Sequence, residues 1–316
     1  MLRCSTAGEL TDGISGVGGV SAIALPTRVV TRCAGALIDL SGDPREATLA
    51  AAEQIGAVLG SKLRGLDTST HLGLILIDGL HGAEEKVNEA LGECAPLLNV
   101  VGGSAGDDLA FTDSWVTVGS AVSHQGAVLL VCETARPFSV LKSCSFTPTG
   151  QTLRVTKADV AQRVVYEFDG RAAVEAYAEA IGQKPEAVDS SAFMRFPVGL
   201  MIDGSAFIRS PQQVVEGGGI RFYCQILEGM EVEVMRSGDI VGETAAAVSA
   251  AVHDVGGRAS GAVMFNCILR RLELDADGQL DAFIRCFDGV PTAGFHTYGE
   301  TWLGHINQTI TGVVFG

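Results

Sequence analysis

The sequence predicts an α/β fold of two duplicated lobes, each a mixed sheet with packed helices, with an αββα layered sandwich as one way to stack them. Three observations predict it. Short apolar runs alternate with helix-length, Ala-rich stretches. A strand, Ser-Gly-Asp and Ala-rich helix near residues 35–60 return as the same grammar near residues 230–257. Finally, 47% hydrophobic against 19% charged residues lets a chain of 316 residues bury a large core, which excludes disorder.

The elements follow in order. "GALIDL" (35–40) reads as a strand and "DPREATLAAAEQIGAVLG" (43–60) as a helix, with Asp43 as cap, Pro44 in the first turn and Gly60 at the end. "HLGLILIDGL" (71–80) is a buried strand. "GAEEKVNEALGECAP" (82–96) is a helix stopped at Pro96, and "LLNVVGG" (97–103) a strand running into a glycine loop. Residues 114–133 read as a hairpin of two strands turning near His124-Gln125-Gly126. A strand pair (about 138–168), a helix (170–182) and a strand-rich stretch (196–210) separate the copies. In the second copy, 230–257 matches the first strand and helix, and 260–272 is a buried strand ending in Arg270 and Arg271. Residues 277–300 supply the second helix, strand and glycine loop, and 307–316 the last strand.

A formal charge of −15 with no basic run excludes nucleic acid and anionic lipid as expected partners. No apolar run reaches the roughly 18 residues of a membrane helix. "MLRCSTAGEL" turns polar too early for a signal peptide, so the expected location is cytoplasmic. Eight cysteines without a C-x-x-C are expected to be buried free thiols in a reducing compartment. The histidines show no metal-ligand pairing, and no metal is expected.

Gly102-Gly103-Ser104-Ala105-Gly106 is a literal G-x-S-x-G, which would make Ser104 a nucleophile if a helix followed it. "DDLAFTDSWVTVG" lacks helical periodicity, so the stretch reads as a binding loop, with a serine hydrolase as the alternative. One pattern recurs: Thr6-Ala7-Gly8-Glu9, Ser104-Ala105-Gly106-Asp107 and Thr297-Tyr298-Gly299-Glu300 each run hydroxyl, any residue, glycine, carboxylate. Glycine there permits a nest of backbone N–H groups for an anion, and the acid can accept from an ammonium or cap the loop. The candidate ligand-binding residues are Gly102, Gly103, Ser104, Gly106, Asp107, Arg270, Thr297, Tyr298, Gly299, Glu300 and Asn307, with Arg270 as the anion partner and Thr309 beside Asn307 on a polar rim. His296 and His305 flank Tyr298 and Trp302 and are the candidates for axial haem ligation.

"CSTAGEL" (4–10), "VVGGSAGDD" (100–108), "VVYEFDGRAAVEAY" (164–177), "FNCILRR" (265–271), "AGFHTYGE" (293–300) and "NQT" (307–309) resemble, in this order, the FIST (F-box and intracellular signal transduction) family. The resemblance implies a FIST N-terminal-like domain over 1–169, without the family's first strand–helix unit, and a FIST C-terminal-like domain over 170–316. It further implies a sensory module of intracellular signalling, not an enzyme, that binds a small ligand such as an amino acid or small carboxylate. Its output partner would be a kinase, cyclase or chemoreceptor. No cofactor is expected on this reading; the alternative is a haem-binding nitric oxide sensor acting on a histidine kinase.

Overall fold

Two six-stranded sheets of matching strand order lie at the centre of the first of two compact units in the computed structural model, which describes residues 1–316. The chain opens with β1 (Leu2–Cys4), β2 (Glu9–Thr11) and β3 (Ile14–Gly16). It continues through β4 (Val30–Asp39), α1 (Pro44–Leu59), β5 (His71–Asp78), α2 (Glu84–Cys94) and β6 (Asn99–Ala105). Then come β7 (Val116–Val118), β8 (Ala121–Ser123), β9 (Gly126–Thr134) and β10 (Phe138–Ser143). The second unit holds β11 (Phe146–Asp159), β12 (Val164–Phe168), β13 (Arg171–Ala172), α3 (Ala173–Ala180) and α4 (Ser190–Arg195). It also holds β14 (Val198–Ile202), β15 (Ser205–Arg209), β16 (Pro211–Val215), β17 (Gly219–Phe222) and β18 (Glu231–Ser237). The chain closes with α5 (Ile240–Asp254), β19 (Gly261–Cys267), α6 (Ile268–Ala276), α7 (Leu280–Arg285), β20 (Thr292–Thr297), β21 (Glu300–Trp302), β22 (His305–Ile306) and β23 (Ile310–Phe315).

The first unit comprises Met1–Ser143, Val241–His305 and Thr309–Gly316, so it draws on both ends of the chain. One sheet has the order β4-β9-β5-β6-β21-β22, the other β10-β23-β19-β20-β2-β3. Read in these orders, the pairings run antiparallel, antiparallel, parallel, antiparallel in both sheets. The duplication is therefore real, and it places Gly102 and Gly294 at equivalent points, since Ile75 pairs Gly102 where Met264 pairs Gly294. The fifth strand of each sheet is exchanged: β2, from the N-terminus, completes the sheet of C-terminal strands, and β21 completes the other.

The layers follow from which side chains alternate to which face. On β5, Ile75 and Ile77 pack under α1 and α2 with Ile55, Val87 and Leu91. Leu72, Leu74 and Leu76 face the other way and meet Phe265, Phe295, Val313 and Phe315 of the second sheet. That is why "HLGLILID" is apolar without a break. α6 and α7 pack on the second sheet, so this unit is an αββα sandwich built by both copies together. Helix α1 starts where expected: Asp43 accepts from the N–H groups of Arg45 and Glu46, and Gly60 closes the helix at φ 81.

Four expectations are corrected. Residues 114–133 do not form one hairpin turning near His124: β7 and β8 pair across a turn at Gly119, β7 also pairs with β1, and β9 pairs instead with β4 and β5. The repeat is out of phase at its start: β18 belongs to the second unit, and β10 fills the place of β4 in the second sheet. Arg270 and Arg271 sit in helix α6, since β19 stops at Cys267. No cysteine is in a disulfide, but only Cys132, Cys224 and Cys267 are buried, and Cys33 is exposed on the edge strand β4.

The second unit, Cys144–Ile240 with Ile306–Gln308, carries an eight-stranded sheet that starts at β15 and ends at β16. Ser210 alone separates those two strands in sequence, so the sheet curls toward closure. Its core joins Phe168, Tyr177, Phe193, Val198 and Ile220, and the Tyr177 hydroxyl donates to the Phe196 carbonyl at 2.6 Å. No helix of the chain is long and apolar enough to cross a membrane.

Candidate functional site

Three loops paired by pattern in the sequence meet at the carboxyl ends of the parallel strands, where α/β sheets carry ligand sites. Ser104 N–H donates to the Gly299 carbonyl (2.8 Å) and Tyr298 N–H to the Ser104 carbonyl (3.1 Å). In the other sheet His296 N–H donates to the Gly8 carbonyl (2.8 Å) and Ala7 N–H to the His296 carbonyl (3.0 Å). Each Thr-x-Gly-Glu segment thus leads into an exchanged strand. Each is clamped alike: Thr6 Oγ1 donates to Glu9 Oε1 at 2.7 Å and Thr297 Oγ1 to Glu300 Oε1 at 2.5 Å. The third echo departs from this. Ser104 Oγ donates to Glu84 Oε1 (3.2 Å), because Asp107 is a methylene shorter and its chain enters a loop instead of a strand.

The Asp107 loop fills its own nest. Asp107 accepts from the N–H groups of Phe111 (2.9 Å), Thr112 (2.6 Å) and Asp113 (3.0 Å). The Tyr298 hydroxyl donates to Asp107 Oδ1 at 2.6 Å, accepts from Leu109 N–H at 2.8 Å, and its ring stacks on Phe111. Partial burial pushes the Asp107 carboxyl up, but these bonds outweigh it and hold it at about 2. They also hold Asp108, Leu109 and Phe111 at φ 54, 66 and 53, left-handed values that non-glycine residues avoid. The glycines are closely packed: a Cβ on Gly102 would lie 1.8 Å from the Ile75 carbonyl oxygen.

Glu300 is wholly buried and accepts from Thr309 N–H (3.1 Å) and Thr309 Oγ1 (2.8 Å) besides Thr297. Burial pushes its carboxyl from 4.5 up to about 7 against these bonds. His296 is buried too; Asn266 Oδ1 accepts from Arg270 Nε, so the Asn266 amide nitrogen donates to His296 Nδ1, and Nε2–H donates to Ser15 Oγ at 2.8 Å. Burial first, and the Arg271 charge second, lower it from 6.5 to about 3. The signs oppose. The stability from keeping His296 neutral is complete above pH 6.5 and is lost as pH falls toward 3. That from Glu300 is complete below pH 4.5 and is lost as pH rises through 7. The two slopes cancel between pH 4.5 and 6.5. Denaturant midpoints measured against pH are expected to show a plateau there; in His296→Gln the plateau should tilt, stability rising as pH falls from 6.5 to 4.5, and the limb below it should flatten.

The remaining candidates separate. Arg270 is fully buried, with Nη2 donating to Thr244 Oγ1 at 2.7 Å as well as Nε to Asn266. It ties α6 to α5 and, through Asn266, to His296 of β20, while its neighbour Arg271 donates directly to the Ala7 carbonyl at 3.2 Å. His296 and His305, the candidates for axial haem ligation, are both buried. Both His296 nitrogens are engaged, and the buried His305 ring lies where a Gly299 Cβ would stand, 2.2 Å from Cε1. Ser104 is buried and donates to a carboxylate, with no histidine on its hydroxyl. Asn307, in the second unit, is 1% exposed, and both its amide nitrogen and its oxygen lack a hydrogen-bond partner. Gln308 beside it is anchored, accepting from Ser210 Oγ (2.7 Å) and donating to the Met194 carbonyl (2.7 Å).

A cleft of about 570 Å³ in the second unit escaped the sequence reading. Asp169, Arg171, Glu179 and Arg236 stand on its wall beside the last turn of α3, and Arg171 pairs with Glu179 at 2.6 Å. Its signal was Asp169-Gly170, both at positive φ in the turn between β12 and β13.

The FIST N domain model matches residues 1–171 and the FIST C domain model residues 173–302. An uncharacterized protein of Methanocaldococcus jannaschii is 26% identical over 200 residues, which are 59% of this chain and 38% of that relative. This chain therefore spans well under half of the relative it matches.

Proposed function

This chain belongs to the FIST family of sensory signal-transduction domains, and on that premise we propose that it binds a small amino acid or carboxylate through the buried amide of Asn307. The orphaned amide supports this reading. A buried polar group without a partner costs about 1–3 kcal/mol, so it calls for an occupant. Its NH₂ suits a carboxylate and its carbonyl an ammonium, the two poles of an amino acid. Binding would favour the conformation that presents this geometry, and a kinase, cyclase or chemoreceptor partner would read the shifted population. The charged cleft favours a second reading, in which Arg236 and Asp169 take the same two poles.

A thermal-shift panel of amino acids and small carboxylates separates the two. Ligand at about a hundred times its Kd stabilises by roughly 2.7 kcal/mol. The response is expected to vanish in Asn307→Ala, whose unliganded Tm is unchanged or higher because its amide had no partner to lose. Loss in Arg236→Ala instead moves the site to the cleft. Silence across the panel, with a buried water on Asn307, overturns both.

A further inference from the structure

Cys33 and Cys132 face one another as direct partners across the antiparallel pair β4–β9. Directly opposed residues of such a pair put their side chains on one face, with Cα atoms about 4.5 or 5.5 Å apart. Both spacings fall within the roughly 4.4–6.8 Å that a disulfide spans. β4 is the edge strand of its sheet, and Cys33 is exposed while Cys132 is 2% exposed. We propose that this pair is a redox site, an exposed attacking thiol with a buried resolving thiol, that closes reversibly into a cross-strand disulfide on meeting a low-molecular-weight disulfide of the glutathione class.

The order of events follows from exposure. The Cys33 thiolate attacks one sulfur of the oxidant, whose S–S bond breaks; one half stays on Cys33 as a mixed disulfide, and the other leaves as a thiolate and takes up a proton. The Cys132 sulfur, giving its proton to solvent, then attacks Cys33 Sγ and expels the second thiol. Two protein S–H bonds are oxidised to one S–S bond, and the oxidant is reduced to two thiols. Cys132 cannot act first: burial, and then the neighbouring Cys33, push its thiol up to about 12.

The test equilibrates the full chain with mixtures of oxidised and reduced glutathione, followed by peptide mapping without reductant. The expected product is a linked peptide pair containing Cys33 and Cys132. It should be reversed by dithiothreitol and accompanied by a rise in Tm of roughly 5–10 °C that Cys33→Ser lacks. Cys132→Ala should instead accumulate glutathione on Cys33, a readout that does not depend on the stability of that variant. Cys33 joined to Cys4 or to Cys33 of a second chain, or left as the mixed disulfide in the unmutated chain, overturns the proposal.

Discussion

Gly102→Ala is expected to destabilise the first unit by about 4 kcal/mol or more, enough to abolish soluble protein in a marginally stable chain. The added methyl would stand 1.8 Å from the Ile75 carbonyl oxygen and 2.7 Å from its Cγ2, in the middle of a sheet buried on both faces. Neither neighbour can give way, because one is backbone in the adjacent parallel strand. Gly294 repeats the geometry in the other sheet, 2.1 Å from the Met264 carbonyl oxygen, and Gly294→Ala should fail alike. Gly92→Ala is the control of opposite sign. It lies in α2 with nothing within 4 Å of the new methyl, so it should stabilise by about 0.5–1 kcal/mol. Chemical denaturation of the three variants checks this. Equal effects at Gly92 and Gly102 would mean that the strands are not this close.

Glu300→Ala is expected to cost about 3–5 kcal/mol, a fall in Tm of roughly 10 °C. It orphans the Thr297 hydroxyl, the Thr309 hydroxyl and the Thr309 N–H at once, all buried. Glu300→Gln keeps an acceptor for the N–H and needs no charge in the interior, so it should lose less than half as much. Its loss should also be smallest at alkaline pH, where the native carboxylate is itself ionised against burial. The Thr6–Glu9 clamp is the comparison. Glu9 is half-buried, with Thr6 and the Gly19 N–H as its partners, so Glu9→Ala should cost about 1 kcal/mol. Differential scanning calorimetry of the three variants distinguishes these cases, and a Glu300→Ala protein with unchanged Tm would contradict the clamp.

Much of the fold was legible wherever local chemistry decides. Asp43, Pro44 and Gly60 mark the ends of α1, and the unbroken apolar run of β5 announces a strand covered on both faces. Misreadings came where local signals are silent. Nothing punctuates Cys267-Ile268, so the turn from β19 into α6 was missed, and with it the change in what Arg270 faces. Strand β18 alternates as well as β10 does, so pattern alone could not say which one opens the second sheet. The exchange of β2 and β21 is purely tertiary, pairing Glu9 with Phe295 and Glu300 with Gly103 across most of the chain. At the candidate site, the recurrence of Thr-x-Gly-Glu was visible, whereas its role as a clamp at the strand exchange was not. Asn307 stood out only through the family resemblance, because an unpartnered amide has no sequence signature.

The most direct measurement is the side-chain NH₂ resonance of Asn307, in protein isotopically labelled at asparagine, during titration with a ligand found in the panel. If Asn307 is the recognition group, that resonance shifts in proportion to saturation, and its exchange with water slows as the amide gains its partner. A ligand that saturates the protein while the Asn307 resonance stays fixed would contradict the assignment and leave the amide a structural group.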